Sequence, residues 1–144
     1  MAAFADSIKA NIKQLEQEIN DKIISIASYG FREIVNESPS ESIGSEYAQG
    51  WLKNQWYVSF DSPSSNMTTK ADQSGTNSLS QINSLSTSNK FYKKDGSVFF
   101  TNNVPHGYRT EVLGWYPDDT HPMWQGTAPY AMMAKGLVRM KAKT

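Results

Sequence analysis

Few residues in this chain have the types and spacing that do chemistry. There are two histidines, His106 and His121. His121 follows Asp118-Asp119, and one imidazole beside two carboxylates has the donor types of a small metal-dependent hydrolase. Such a site needs three or four convergent ligands. The chain has no cysteine and no His-x3-His spacing, so the expectation for Asp118, Asp119 and His121 is a polar surface turn, with no metal and no cofactor. Glu33, Glu37 and Glu41 can share one helical face, which is the pattern of a solvated face rather than of a carboxylate pair across a cleft. No Gly-x-Ser-x-Gly elbow, phosphate-binding Gly-x4-Gly-Lys-Ser/Thr loop or Gly-x-Gly-x-x-Gly turn is present. His106, just after Pro105, reads as a helix-start or interface residue rather than a general base. The expectation is a protein without enzymatic activity.

The aromatic residues point to packing more than to ligand stacking. Phe91-Tyr92-Lys93-Lys94 is the one place where rings sit beside lysines, the arrangement of a nucleic-acid stacking platform, and strand aromatics of a core explain it equally. The chain has 144 residues and formally balanced charge, 14 Lys+Arg against 14 Asp+Glu. That argues against a polybasic nucleic-acid or membrane binder. No apolar run exceeds five residues, as at Tyr130–Ala134, well short of the roughly 20 of a membrane helix. Met1–Ala10 lacks the basic start and apolar stretch of a secretion signal. The expectation is one soluble domain, 1–144, assembled in a reducing compartment. The balance is uneven along the chain: residues 1–46 hold eight acids and four bases, and residues 47–144 hold six acids and ten bases. Complementary ends of this kind suit head-to-tail contact between identical copies.

The elements that would position these residues follow from periodicity. Phe4, Ile8, Ile12, Leu15, Ile19, Ile23 and Ile26 recur at spacings of 4, 4, 3, 4, 4 and 3, one helical stripe at nearly heptad period. Gly30 is a point where the helix can kink, and Ser38-Pro39 ends it, giving a helix over about 3–36. At about 1.5 Å per residue it would be about 50 Å long. So long a helix in so small a domain breaks at Gly30, packs part of its stripe on another subunit, or lies on its own sheet. Trp56, Val58 and Phe60 alternate with Tyr57 and Ser59 as in a strand. The Ser-, Thr- and Asn-rich segment 61–89 reads as a flexible loop, with a short helix marked by Leu79, Ile82 and Leu85. Lys94-Asp95-Gly96 is a turn signal before a second strand, Ser97–Thr101. Pro105 can open a short helix through Glu111, with Gly114 past its end. Gly136–Lys141 alternates apolar and basic residues and reads as a third strand, with a helix from Tyr130 onward as the alternative. The fold class is α+β: a long N-terminal helix packed on a small, mostly antiparallel β-sheet, with one or two short helices and long loops.

Three stretches, in order, carry a resemblance. Ser38-Pro39 followed by Gly50-Trp51-Leu52-Lys53-Asn54-Gln55-Trp56-Tyr57-Val58 resembles the pattern Pro-(Val-Asp-Thr)-Gly-x-Leu-Arg/Lys-x-Ser/Asn-Trp-x-Val. Phe100-Thr101-Asn102-Asn103-Val104-Pro105, followed by Tyr108 and Glu111, resembles a strand-then-turn pattern Ile-Thr-Asn-Asn-x-Pro-Tyr with a later Glu and Gly. Gly136-Leu137-Val138-Arg139 resembles a closing Gly-Met-Val-Arg. Together they are similar to the tail-completion or neck proteins of tailed bacteriophages, the group that includes the minor tail protein Z type. The likeness spans about residues 4–141. The Pro39–Gly50 loop is longer than that family's link and lacks its Asp, Glu111 and Gly114 stand one residue further apart, and Pro117–Pro129 has no counterpart.

The resemblance implies a structural virion protein that forms a ring of six copies at the head-proximal end of the tail. The ring would complete the tail and help join it to the head connector. Its partners would be its own copies, the portal-adaptor proteins and the tail tube or tail-terminator proteins. DNA would only pass through the lumen, and no membrane would be involved. A tail-terminator or head-closure role in the same neck is the neighbouring alternative. The residues expected at subunit or partner contacts are Trp51, Lys53, Asn102, Asn103, Pro105, Tyr108, Arg109, Glu111 and Trp115.

Overall fold

The computed structural model describes residues 1–40, 49–87, 96–116, 120 and 128–144. The chain begins with helix α1, Ala2–Glu37, 36 residues that run without a break through Gly30. Gln14 and Gln17 donate to Glu18 and Asp21 one turn on, side-chain pairs of the kind that support an exposed helix. Ser38 stops it. Its ψ of 131° leaves the helical region, as Pro39 after it requires, and its hydroxyl donates back to the Ile34 carbonyl at 2.8 Å.

Among the described residues, the rest of the chain packs on the C-terminal part of that helix, where the buried positions run from Asn20 to Val35. Strand β1, Trp56–Phe60, follows; helix α2, Thr76–Asn83, continues into a 3-10 turn over Ser84–Thr87; and strand β2, Val98–Asn102, closes the sheet. The two strands pair antiparallel, with Trp56 opposite Asn102 and Phe60 opposite Val98. Period-two alternation puts Trp56, Val58 and Phe60 on the face that meets α1. There Phe100 stacks between two rings, Phe31 at 4.3 Å and Trp56 at 4.9 Å between centroids. Ile24, Ala27, Ile34 and Val35 of α1 and Ile82 and Leu85 of the second helical segment complete the core with Leu52, Val104, Trp115 and Met132. The α+β architecture, with a long N-terminal helix against a small antiparallel sheet, is the one the sequence predicts.

The C-terminal segment corrects one expectation. Gly136–Lys141 is not a strand: it lies within helix α3, Met132–Lys143. The inward positions are Met132, Gly136 and Met140, four residues apart, against α1. Because one of them is glycine, the helical stripe is invisible to a count of apolar residues, while the exposed Leu137 and Val138 between basic residues imitate a strand. Gly136 is the reason the helices can cross closely. A Cβ there would stand 2.3 Å from Ile34 Cγ1 and 3.1 Å from the Gly30 carbonyl oxygen, and one at Gly30 would meet Met140. Gly30 therefore admits a neighbour rather than kinking α1.

The charge asymmetry is used partly inside the chain. Lys135 pairs with Glu37 at 3.1 Å, and Arg139 bridges Glu33 and Glu37 at 2.5 Å each. The lysine hydrogen bond first, then the arginine, holds the Glu37 carboxyl below its ordinary range. The acidic end of α1 and the basic α3 are thus partners within one copy, which reduces what is left for a neighbour.

The loop from 61 to 75, read from composition as flexible, has no regular element but is tied at several points. Trp51 Nε1 and Gln55 Nε2 both donate to the Thr68 carbonyl, and Thr68 N–H donates back to Gln55 Oε1. Asn54 Nδ2 donates to the Lys70 carbonyl. Asp72 then accepts from the backbone N–H groups of Ser74 and Thr76 at the start of α2, serving donors a helix start leaves open. The side-chain hydroxyls of Ser74 and then Thr76, ahead of these N–H groups, pull its carboxyl well below the usual range.

Candidate functional site

Several of the resemblance motif residues meet around one turn. After β2, Asn102 Nδ2 donates to the Leu52 carbonyl and its Oδ1 accepts from Val104 N–H. That self-bonding fixes the turn. Asn103 Nδ2 reaches the carbonyls of Ser64 and Asn66, so it fastens the 61–75 loop. Pro105 and His106 lead into a π-helical turn over Arg109–Leu113, closed by Gly114 at φ 77°. The wide turn pushes Val112 and Leu113 outward, about half exposed, beside Tyr108 at 67%.

Glu111 points from this turn to the start of α3. Its Oε2 accepts from Met132 N–H at 2.6 Å and its Oε1 from Met133 N–H at 3.0 Å. Ala131, at the N-cap position, has no side-chain oxygen to offer and sits at φ 49°, so the Glu111 carboxylate, 21 residues before Met132, does the capping and also faces the positive end of the helix dipole. Glu111→Ala should therefore destabilise the fold by about 1–2 kcal/mol and loosen α3 first, which hydrogen exchange at 132–135 would read. A loss spread evenly over α1 and the sheet would contradict the capping role.

His106 is buried between Trp51 and Trp115, 5.4 and 6.0 Å between ring centroids. Burial lowers its pKa to about 4, so the ring is neutral near pH 7 and is not a general acid there. The unfolded chain titrates near 6.5 and binds the proton more readily than the native state, so stability is full above that pH and falls as pH drops toward 4. Between pH 7.5 and pH 5 the loss should be about 2 kcal/mol. Urea midpoints across that range check it, with His106→Phe expected to flatten the slope.

Beneath the turn lies a groove of about 410 Å³, mostly apolar, lined by Leu52, Phe100, Tyr108, Glu111, Val112 and Met133 together with Asn102 and Asn103. It brings together four of the residues expected at contacts: Asn102, Asn103, Tyr108 and Glu111. The other five lie elsewhere. Pro105 is exposed on the preceding turn. Arg109 lies over the Trp115 ring at 5.9 Å. Lys53 lines a separate polar cavity with Asn36, Glu37 and Lys135. Trp51 is half-buried against the 61–75 loop. Trp115 is 3% exposed, with its Nε1 donating to Thr110 Oγ1. It packs in the core of the chain.

Sequence reasoning missed several exposed apolar residues: Val112 and Met133, which line the groove, and Leu113, Tyr116, Leu137 and Val138. Reading 132–143 at helical period, with Gly136 counted inward, would have placed Met133, Leu137 and Val138 on an outer face. A second apolar surface is the stripe of α1. Phe4, Ile8, Ile12, Leu15, Ile19 and Ile23 are 41–69% exposed, because the core begins only at Asn20 and Ile24. Large apolar side chains in a continuous exposed row mark an interaction surface.

Among the described residues no cluster of His, Asp or Glu could hold a metal, and no helix is long and apolar enough to cross a membrane. Asp118, Asp119, His121, Glu41 and the Phe91–Lys94 cluster lie outside the described residues. In comparison with known proteins, no family model matches the chain, and no curated protein or solved structure matches it at a significant level.

Proposed function

We propose that this chain is a structural protein of a tailed-phage particle that assembles into a ring at the head-proximal end of the tail and joins tail to head connector. One observation carries the reading: most of the α1 stripe, from Phe4 to Ile23, is left uncovered by the chain's own core. A row of that length is costly to leave in water, so it is made for a neighbour. The order of the three motif stretches along the chain supports the phage setting, and four of the residues expected at contacts converge on the groove.

Head-to-tail closure needs two different surfaces on each copy. The stripe and the groove are two such surfaces. In a ring, α1 of one copy would lie against the groove and outer α3 face of the next, with Tyr108, Val112 and Met133 as anchors. No catalytic step enters the mechanism, and DNA passes through the lumen without being read.

Deleting the chain from the genome that encodes it is the functional test. Heads and tails should accumulate unjoined, and supplying the protein in trans should restore joining. Particles that join and infect normally without it would end this reading.

A further inference from the structure

The α1 stripe has a symmetry that a surface built only for a different partner does not need. From Phe4 to Ile23 the spacings are 4, 4, 3, 4 and 4, the same in both directions. Adding Ile26 gives two repeats of 4, 4 and 3, an 11-residue period of about 3.67 residues per turn, close to that of an untwisted α-helix. The stripe therefore stays on one side of a straight helix along its whole exposed length. When two copies are laid antiparallel, Phe4 meets Ile23, Ile8 meets Ile19 and Ile12 meets Leu15, so every stripe residue faces a stripe residue.

The flanking charges select the direction. At this period Ala5, Lys9, Glu16 and Asn20 border one side of the stripe, and Ser7, Asn11, Glu18 and Lys22 border the other. An antiparallel pair sets like side against like side, which brings Lys9 of each copy next to Glu16 of its partner and no two like charges together. A parallel pair in register sets opposite sides together and places Glu16 beside Glu18 of the partner, at both edges. Asp6 and Asp21 lie on the outer face and oppose neither arrangement. Length agrees as well: the exposed stripe ends at Ile23, where the core takes over at Asn20 and Ile24, so each helix tip stops beside the other copy's folded body.

We infer that the free chain is a two-fold dimer held by antiparallel pairing of residues 4–23 of α1 with the same residues of a second copy. A ring about a single axis cannot place neighbouring helices antiparallel, so the dimer is a form that precedes ring assembly and must open before the stripe reaches a groove. The inference stands on the helix alone and does not depend on the phage setting.

The chain has no cysteine, so single engineered ones report pairing without background. Phe4→Cys and Ile23→Cys proteins are each oxidised alone, and then oxidised after being mixed and exchanged under reducing conditions. The antiparallel pair gives a covalent dimer only in the mixture, while the unmodified chain has the mass of a dimer by light scattering. Covalent dimers in the single-variant samples, or a monomer or a higher oligomer by mass, would overturn the inference. Ile12→Glu with Ile19→Glu should give a folded monomer whose unfolding midpoint no longer depends on protein concentration, whereas the parent's midpoint rises with concentration, because neither residue belongs to the chain's own core. Lys9→Glu should weaken the dimer and Lys9→Glu with Glu16→Lys restore it; a double variant as weak as the single one would contradict the pairing.

Discussion

Replacing Trp56 by alanine should cost about 3–5 kcal/mol of stability, enough to unfold a domain of ordinary margin. Two connections are lost at once. The indole is 3% exposed and stacks on Phe100 at 4.9 Å. Phe100 in turn stacks on Phe31 of α1, so the ring is one end of a three-ring column that fastens the sheet to the helix. Its Nε1 also donates to Ser38 Oγ at 2.9 Å, and Ser38 is the residue that stops α1. Alanine leaves a cavity the size of an indole and removes the donor that ties the helix end to β1. Phenylalanine keeps most of the column and loses only that donor, so Trp56→Phe should cost roughly 1–2 kcal/mol. Thermal or urea unfolding of the two variants checks the order. Equal losses would mean that the column carries little.

Gly136→Leu should be nearly as damaging, about 2–3 kcal/mol, although leucine is much the better helix former. The opposed effects make the outcome informative. If α3 were held only by its ion pairs to Glu33 and Glu37, the helix could ride outward and leucine would stabilise it. The Cβ, however, would stand 2.3 Å from an Ile34 side chain that is itself buried, and 3.1 Å from the Gly30 carbonyl oxygen in the backbone of α1. Neither can step aside without opening the core. Urea midpoints measured with and without high salt separate the two terms. The ion pairs are exposed and screened by salt, whereas the steric loss persists. A variant more stable than the parent would show that the helix crossing is loose.

What the sequence made legible is what periodicity encodes. The α1 stripe, the alternation of Trp56, Val58 and Phe60 and the Leu79–Ile82–Leu85 spacing each correspond to an element at that place. Pro39 and Gly114 mark the ends they were expected to mark. The failure at Gly136–Lys141 has a simple physical origin: six residues fit either period, and the buried position was a glycine. The site was less legible because its residues are joined by contacts distant in sequence. Nothing local to Glu111 says that it caps a helix at Met132, and nothing local to Trp115 says that Thr110 and His106 enclose it. The opposite charges of the two halves looked like a recipe for contacts between copies. Part of that complementarity is used within one chain, where Arg139 and Lys135 pair with Glu33 and Glu37 of α1.

An exposed helix of this length places one demand on any account of function. About 33 Å of α1, residues 2–23 at about 1.5 Å each, extends with its apolar row uncovered. The proposed antiparallel dimer and the proposed ring would satisfy that demand at different stages and would compete for the same residues. A variant that locks the dimer, such as the Phe4→Cys and Ile23→Cys pair joined as a disulfide, should therefore fail to join tails to heads until it is reduced.

The most direct test of the structural role is electron microscopy of tailed particles produced from the genome that encodes this chain, with density traced at the neck. The account predicts a closed ring of this chain between head connector and tail, with α1 of each copy against its neighbour. Neck density fully explained by other proteins, in particles whose mass spectra lack this chain, would contradict it.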